Sequence, residues 1–359
     1  MAATSCRSCT SPANCARWWR RLPDTAAVVG AGVIGLSAAR ALADDGFAVT
    51  VYERDRVGSR LASSPGRSRI YRRSYRIPDY VRLARRAIEE WQRLDAGLLH
   101  NTGLLEYGAG VELHAAAMDA CGEEYRWLEP AEAAALFPEA HFPEPVLYDH
   151  VGGAVMADEA LQRLRRGLDV REGHGVDDPR ELRADVVVAC PGSWLGPMFD
   201  LPLSPRIEQV TYFAGAPDAR PSVIDHGAPD RRLHYGVVAP GVGYKVGEDA
   251  ARPGRWDPDR IDRPIDEGLV ERLVEHVRVG FPRLDPRPVH SEACLYTMSP
   301  DGDFILEKID GVIVCGGDSG HAFKFGPLLG RFIADLAGGR ALPPEADRFR
   351  AGRLETTTS

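Results

Sequence analysis

At 359 residues with 44% hydrophobic content, the chain can bury a large core and has room for about two domains. Its 44 Lys plus Arg against 52 Asp plus Glu leave a net charge of -8, the wrong sign for a dedicated nucleic-acid binder. No apolar run approaches the ~20 residues of a membrane span, and seven cysteines without regular spacing fit a reducing compartment, the cytoplasm by default, rather than a disulfide framework. Residues 1–22 predict a disordered extension: they carry three Cys, two Trp and four Arg but no apolar signal core. Within it Cys6 and Cys9 form a CxxC, but with only Cys15 nearby and no His there is no zinc set.

The first ordered unit is a strand, a tight turn and a helix. Ala26–Val29 is apolar and β-prone, Gly30-Ala31-Gly32-Val33-Ile34-Gly35 follows, and Leu36–Asp44 is helical in pattern. In such a unit Gly30 makes the turn, Gly32 lets the backbone approach a pyrophosphate, and Gly35 lets the helix pack closely on the sheet. The helix N-terminus then offers unpaired N–H groups and a favourable dipole to negative charge. Phe47–Tyr52 reads as the second strand and ends at Glu53, placed to accept hydrogen bonds from a ribose diol. This is a dinucleotide-binding unit, and both NAD and FAD present the adenosine diphosphate it recognises.

Further along, Tyr80–Leu94 has helical spacing of apolar residues, Leu104–Tyr107 reads as a short strand and Leu113–Glu123 as a helix. A helix begins near Pro130 and ends at Phe137-Pro138, and another covers Asp158–Arg166. The apolar run Ala184–Cys190 suits a strand buried on both faces and ends in the turn Pro191–Trp194. Short alternating stretches at Val210–Ala214, Ser222–Asp225, Leu233–Val238 and Gly243–Val246 predict an antiparallel sheet. An amphipathic helix at Glu267–Phe281, a buried strand within 311–317 and a helix over Leu328–Ala337 complete the order. The fold class is therefore α/β (α+β): a discontinuous Rossmann-like cofactor domain (23–80, 150–205, 290–345), an inserted substrate domain (81–149, 206–289) built on an antiparallel sheet, and a tail at 346–359. Arginines cluster at Arg67, Arg69, Arg72, Arg73 and Arg76, which suits either a small anion or a solvated face.

Three segments carry a family resemblance: Gly66-Arg67-Ser68-Arg69-Ile70-Tyr71-Arg72, Ala293-Cys294-Leu295-Tyr296-Thr297-Met298-Ser299-Pro300-Asp301, and Gly317-Asp318-Ser319-Gly320-His321-Ala322-Phe323-Lys324-Phe325. With the dinucleotide unit, in this order, the chain from about Ala26 to Leu336 resembles the sarcosine oxidase and N-methyltryptophan oxidase group of FAD-dependent amine oxidases. The resemblance implies oxidation of a secondary amine, an N-methyl amino acid or a cyclic imino acid. It implies that FAD accepts a hydride equivalent at N5 and that oxygen reoxidises it to give hydrogen peroxide; the enzyme is expected to be a monomer. It implies that Arg72 and Lys324 hold a substrate carboxylate, Arg as a planar fork and Lys as a point charge. A salt bridge at the surface is the plainer alternative for both.

Lys245 is implied to sit near the flavin and help oxygen accept electrons, against the alternative of a solvent-facing strand lysine. Cys294 is implied to bond through sulfur to the flavin 8α-methyl group. Residue chemistry alone favours a buried, inert cysteine there, and Cys315, inside an apolar strand, reads as core. Arg69 and Tyr296 are implied to lie beside the flavin, Tyr235 in the substrate pocket, and Arg54, Ser68, Val176, Gly320 and His321 among the cofactor contacts.

Two departures point away from sarcosine itself. Where sarcosine-type members carry a pocket histidine, this chain has Asp249 or, with a slip of one, Glu248; a carboxylate there suits a cationic amine or a ring nitrogen. Asp318 occupies a position often aromatic in the group, and the span 167–184 is short. The competing readings are a dehydrogenase of the same fold that passes electrons to another acceptor, and a non-catalytic flavin-binding subunit.

Overall fold

The β-branched and alanine-rich run Thr25–Val29 pairs in parallel with Ala48–Tyr52 on one side and Val186–Ala189 on the other. In the computed structural model, which describes residues 24–228, 232–249, 257–260 and 262–358, these strands centre a six-stranded sheet. It runs from Asp169–Arg171 at one edge, through the three strands above, to Val312–Gly316 and Ile305–Ile309 at the other. Only the last pair is antiparallel. The extension over 1–22, with its Cys6–Cys9 pair, lies outside the described residues.

The helix Val33–Asp44 packs on this sheet through an all but side-chain-free contact. A Cβ at Gly35 would lie 1.9 Å from the carbonyl oxygen of Gly30, and one at Gly30 would lie 2.4 Å from that of Cys190. Gly30 also has φ +96°, a conformation that disfavours any side chain. The helix Gly326–Ala337 crosses Val33–Asp44 equally closely, since a Cβ at Gly330 would lie 2.4 Å from the Ser37 backbone. It begins two residues before the predicted start because Pro327 occupies its first turn, where a missing N–H costs nothing.

The second sheet has eight strands in the order Pro288–Met298, Ser204–Phe213, Gly243–Glu248, His234–Ala239, Ser222–Asp225, Leu104–Tyr107, Val146–Asp149 and Arg126–Leu128. It is antiparallel except where Ser222–Asp225 runs alongside Leu104–Tyr107. The helix Glu267–Gly280 lies over it, capped by the Asp266 carboxylate on Leu269 N, and buries Leu269, Leu273 and Val277 with Phe137, Phe213, Tyr244 and Phe281.

Pro288–Met298 departs from expectation. The sequence places residues from 290 onward in the cofactor domain, yet this strand is hydrogen-bonded along Ser204–Phe213 in the eight-stranded sheet. Its side chains lack a clean apolar alternation because most are only partly buried, so the period-2 signal is missing. A three-stranded sheet of Ser68–Tyr71, Gly153–Met156 and Leu99–His100 was likewise unpredicted; strands this short carry too few alternations to show. No helix among the described residues is long and apolar enough to cross a membrane.

Candidate active site

Both large sheets and the loops between them contribute to one cavity of about 1180 Å³, above the roughly 300–1,000 Å³ of ordinary small-molecule sites. The dinucleotide turn opens into it through Gly30 and Gly32, and Glu53, Arg54 and Val176 line it as well. Arg69, Arg72, Lys245 and Lys324 line the same cavity, as do Tyr235, Asp249, Cys294, Tyr296, Gly320 and His321. Residues from 30 to 324 are thus gathered around one space.

The turn suits a diphosphate on its own geometry. Gly32, at the N-cap of Val33–Asp44, has no side chain of its own to cap the helix, so the N–H groups beyond Val33 stay open to an anion. Ser64, which the sequence reading passed over, reaches this point with its hydroxyl, accepting from Val33 N at 3.0 Å. Glu53 accepts from Ala31 N at 2.7 Å and from Asp55 N at 3.0 Å. Its carboxylate is thereby fixed beside the turn with lone pairs left for a ribose. Arg54 stacks over the Trp194 ring at 4.8 Å and pairs with Asp259.

Two expected cofactor contacts do not line the cavity. Gly35 lies under the turn, where its role is the close packing described above. Ser68 is fully buried and its hydroxyl donates to the carbonyl of Val238 at 2.6 Å. It ties the short sheet to the large one, and its own carbonyl accepts from Lys245 Nζ at 2.5 Å. The residue therefore acts behind the wall, by holding Lys245.

Lys245 is 3% exposed, so the solvent-facing alternative fails. Burial, reinforced by the Arg69 charge, pulls its ammonium down to about 7. Arg69 is itself held by carbonyl oxygens of Ser63, Pro65 and Ser68. Burial pushes the Cys294 thiol up to about 11, with Arg69 and Lys245 acting in the opposite sense. Tyr235 and Tyr296 are pushed well above the usual phenol range, chiefly by burial, and both remain neutral donors. The Tyr235 hydroxyl donates to Glu208 at 3.2 Å.

Asp249, and not Glu248, faces the cavity. Glu248 points the other way, toward Arg272 at 3.2 Å and His234 at 3.4 Å. Asp318 lines the cavity too, with its carboxylate accepting from Thr297 N and Gly320 N, both at 3.0 Å. It fastens the loop after Val312–Gly316 to the strand that carries Cys294.

The two expected carboxylate binders differ. Lys324 is buried, donates to the carbonyl of His321 at 3.1 Å, and is driven well below the usual lysine range by burial and by Arg72. Arg72 does make a salt bridge, but inside the protein: its NH1 donates to Glu106 at 2.8 Å and to the Ser74 carbonyl at 2.7 Å, and its guanidinium stacks on Tyr75 at 4.4 Å. Glu106 was not singled out from the sequence. The available signal was a carboxylate within the otherwise apolar strand Leu104–Tyr107.

A family model described as FAD dependent oxidoreductase matches residues 25–336. The chain belongs to that family. Among curated proteins it is 29% identical to the peroxisomal sarcosine oxidase of Mus musculus, over 92% of this chain and 96% of that one. Among solved structures it resembles NikD, described as an unusual amino acid oxidase, with a TM-score of 0.77 and 24% identity over 91% of this chain and 97% of that one. L-proline dehydrogenase from P. horikoshii superposes with a TM-score of 0.80 at 19% identity, covering 93% and 98%. At such identities the structural matches speak for the fold of this FAD-dependent oxidoreductase.

Proposed function

We propose that this FAD-dependent oxidoreductase oxidises the carbon–nitrogen bond of a secondary amine, an N-methyl amino acid or a cyclic imino acid, and returns electrons to oxygen as hydrogen peroxide. One observation carries the reading: the cavity that contains the dinucleotide turn also contains Arg72, Lys245 and Lys324. FAD, when bound, supplies the acceptor for the hydride equivalent. The protein's share is orientation and charge. Arg72 and Lys324 hold the substrate carboxylate, which fixes the carbon next to nitrogen relative to the rest of the cavity. Lys245 puts a buried cation where negative charge develops during reduction of oxygen.

Tyr235 and Tyr296 donate hydrogen bonds within the pocket, and Asp249 receives the cationic or ring nitrogen of the substrate. Cys294 is the residue we assign to a thioether with the flavin 8α-methyl group; Arg69 and Lys245 favour the thiolate that this bond requires. Unbridged cysteines at Cys121, Cys190 and Cys315 support a reducing compartment such as the cytoplasm.

The test is a screen of the FAD-loaded protein with sarcosine, proline, pipecolate, piperideine carboxylate and N-methyl amino acids. Anaerobic bleaching of the flavin by at least one, with peroxide formed in air, is the expected result. No bleaching by any of them overturns the substrate class; bleaching without peroxide in air overturns the oxidase assignment.

A further inference from the structure

Arg72 is the one candidate carboxylate binder whose charge is already matched. The Glu106 carboxylate facing it is 0% exposed, in the middle of the strand Leu104–Tyr107. Oε1 accepts from Arg72 NH1, while Oε2 faces His114 Nδ1 at 3.1 Å and His226 Nε2 at 3.8 Å. The two imidazoles meet edge to face with centroids 4.7 Å apart. Burial opposes ionisation of Glu106, but Arg72 first and then the imidazoles outweigh it and hold the carboxyl well below its ordinary range. Arg72, His114 and His226 line the cavity, and Glu106 stands behind them.

This set also has the residue types of a two-histidine, one-carboxylate metal site, with ligand atoms within 4.8 Å of one another. The guanidinium on the same carboxylate, with the Lys324 ammonium close enough to be depressed by Arg72, already supplies the positive charge that a divalent ion would bring. Glu106 Oε2, His114 Nδ1 and His226 Nε2 face one another without a hydrogen bond of good geometry, so it is the charge balance, not hydrogen bonding at the second oxygen, that argues against an ion there.

We infer that Glu106 is the counter-charge to Arg72, a positioning and affinity-setting residue that orients the guanidinium while weakening its hold on a substrate carboxylate. This deepens the reading of Arg72 as a carboxylate binder and rests on it. The bonds to Glu106 and Ser74 both leave from NH1, so the Nε–NH2 edge, the two-donor fork suited to a carboxylate, is not spent on them. A ligand carboxylate on that edge stands within several ångströms of the Glu106 anion, in a site of low effective dielectric where like charges repel appreciably. Glu106 thereby balances the buried Arg72 charge in the apo cavity, at the expense of affinity. The orientation it enforces is retained in both states.

The sign of the effect separates this role from a structural one. Glu106→Gln keeps an acceptor for Arg72 NH1 and removes the charge, so a carboxylate ligand should bind tighter, on the order of tenfold. Damage to the wall would weaken it. The measurement is titration of FAD-loaded protein with cyclopentanecarboxylate, an amine-free analogue of a cyclic amino acid, followed by flavin absorbance; cyclopentanecarboxamide is the uncharged control. Expected results are tighter carboxylate binding in E106Q, no change for the amide, and no tightening when E106Q is added to R72M, or to R72K if R72M does not fold. Weaker or unchanged binding in E106Q overturns the proposal, as does equal tightening of carboxylate and amide. Stoichiometric divalent metal in the purified protein, lost in E106Q, also overturns it. If R72M binds cyclopentanecarboxylate as wild type does, it is the assignment of Arg72 that fails.

Discussion

The Lys245 ammonium donates to the carbonyl oxygen of Ser68 at 2.5 Å, joining two strands of different sheets across 177 residues of sequence. That bond fixes Lys245 in the wall of the cavity where the three-stranded and eight-stranded sheets meet, and it makes Lys245 the most informative single position to alter.

Lys245→Met should slow reoxidation of reduced enzyme by oxygen by two orders of magnitude or so, the usual scale for a lost charge-stabilising group, and leave anaerobic reduction within a few-fold of wild type. Stopped-flow measurement of the two half-reactions decides it. Equal slowing of both removes the role proposed for the ammonium.

The same residue predicts a pH dependence of stability. Its folded-state value is depressed to about 7 from 10.5, so between those values the unfolded chain binds the extra proton. Stability therefore rises with pH across that window; the penalty of burying charge is full below about 7 and gone above 10.5. Apoprotein melting temperatures taken from pH 6.5 to 10.5 should show this component in wild type and lack it in K245M, whose melting point at pH 7 should be the higher of the two. A steeper pH dependence in K245M contradicts the burial argument.

Gly35→Ala should abolish flavin retention. A methyl group 1.9 Å from the Gly30 carbonyl forces the helix Val33–Asp44 off its strand, and the local repacking costs about 3 kcal/mol, the upper end for overpacking. Flavin content after purification and the apoprotein melting point are the readouts. Gly46→Ala, in a loop where a Cβ meets nothing within 4 Å, should retain flavin while losing only stability, because φ is +94° there.

Glu53→Gln should weaken FAD binding by roughly tenfold or more, since charge-assisted bonds of about 1.5–3 kcal/mol hold Ala31 N and Asp55 N in place. Competition of NADH or FMN with FAD in reconstituted apoprotein serves as the specificity control. Unchanged affinity for FAD in E53Q would place the ribose elsewhere.

Cys294→Ser should release all flavin to the supernatant on acid precipitation, where wild type keeps its colour in the pellet. Because Arg69 and Lys245 are what pull the thiol down against burial, K245M should attach flavin more slowly during reconstitution. Fluorescence of denatured bands under ultraviolet light measures the attached fraction. Flavin released from wild type sinks the thioether assignment.

Local patterns made much of this protein legible. The strand Thr25–Val29, the glycine turn and the helix behind it follow from neighbours in sequence, because a diphosphate-binding turn is built by contiguous residues with strict steric needs. The helices at Pro78–Asp95 and Glu267–Gly280 declared themselves by periodic apolar faces packed on a core. Polar strands were harder to read. Pro288–Met298 and the short Ser68–Tyr71 present mixed faces to the cavity and so lack the alternation that marks a half-buried strand.

The sequence by itself determined the dinucleotide unit and the class of fold and, through motif resemblance, nominated the set Arg72, Lys245, Cys294 and Lys324, all of which line the one cavity. Only the tertiary structure decided that Asp249 rather than Glu248 faces the cavity, that Ser68 holds Lys245 from behind, and that Glu106, His114 and His226 stand against Arg72. These facts depend on which side of a strand each residue faces and on pairings between distant segments. Burial and like-charge proximity, which depress Lys245 and Lys324, exist only once those segments meet.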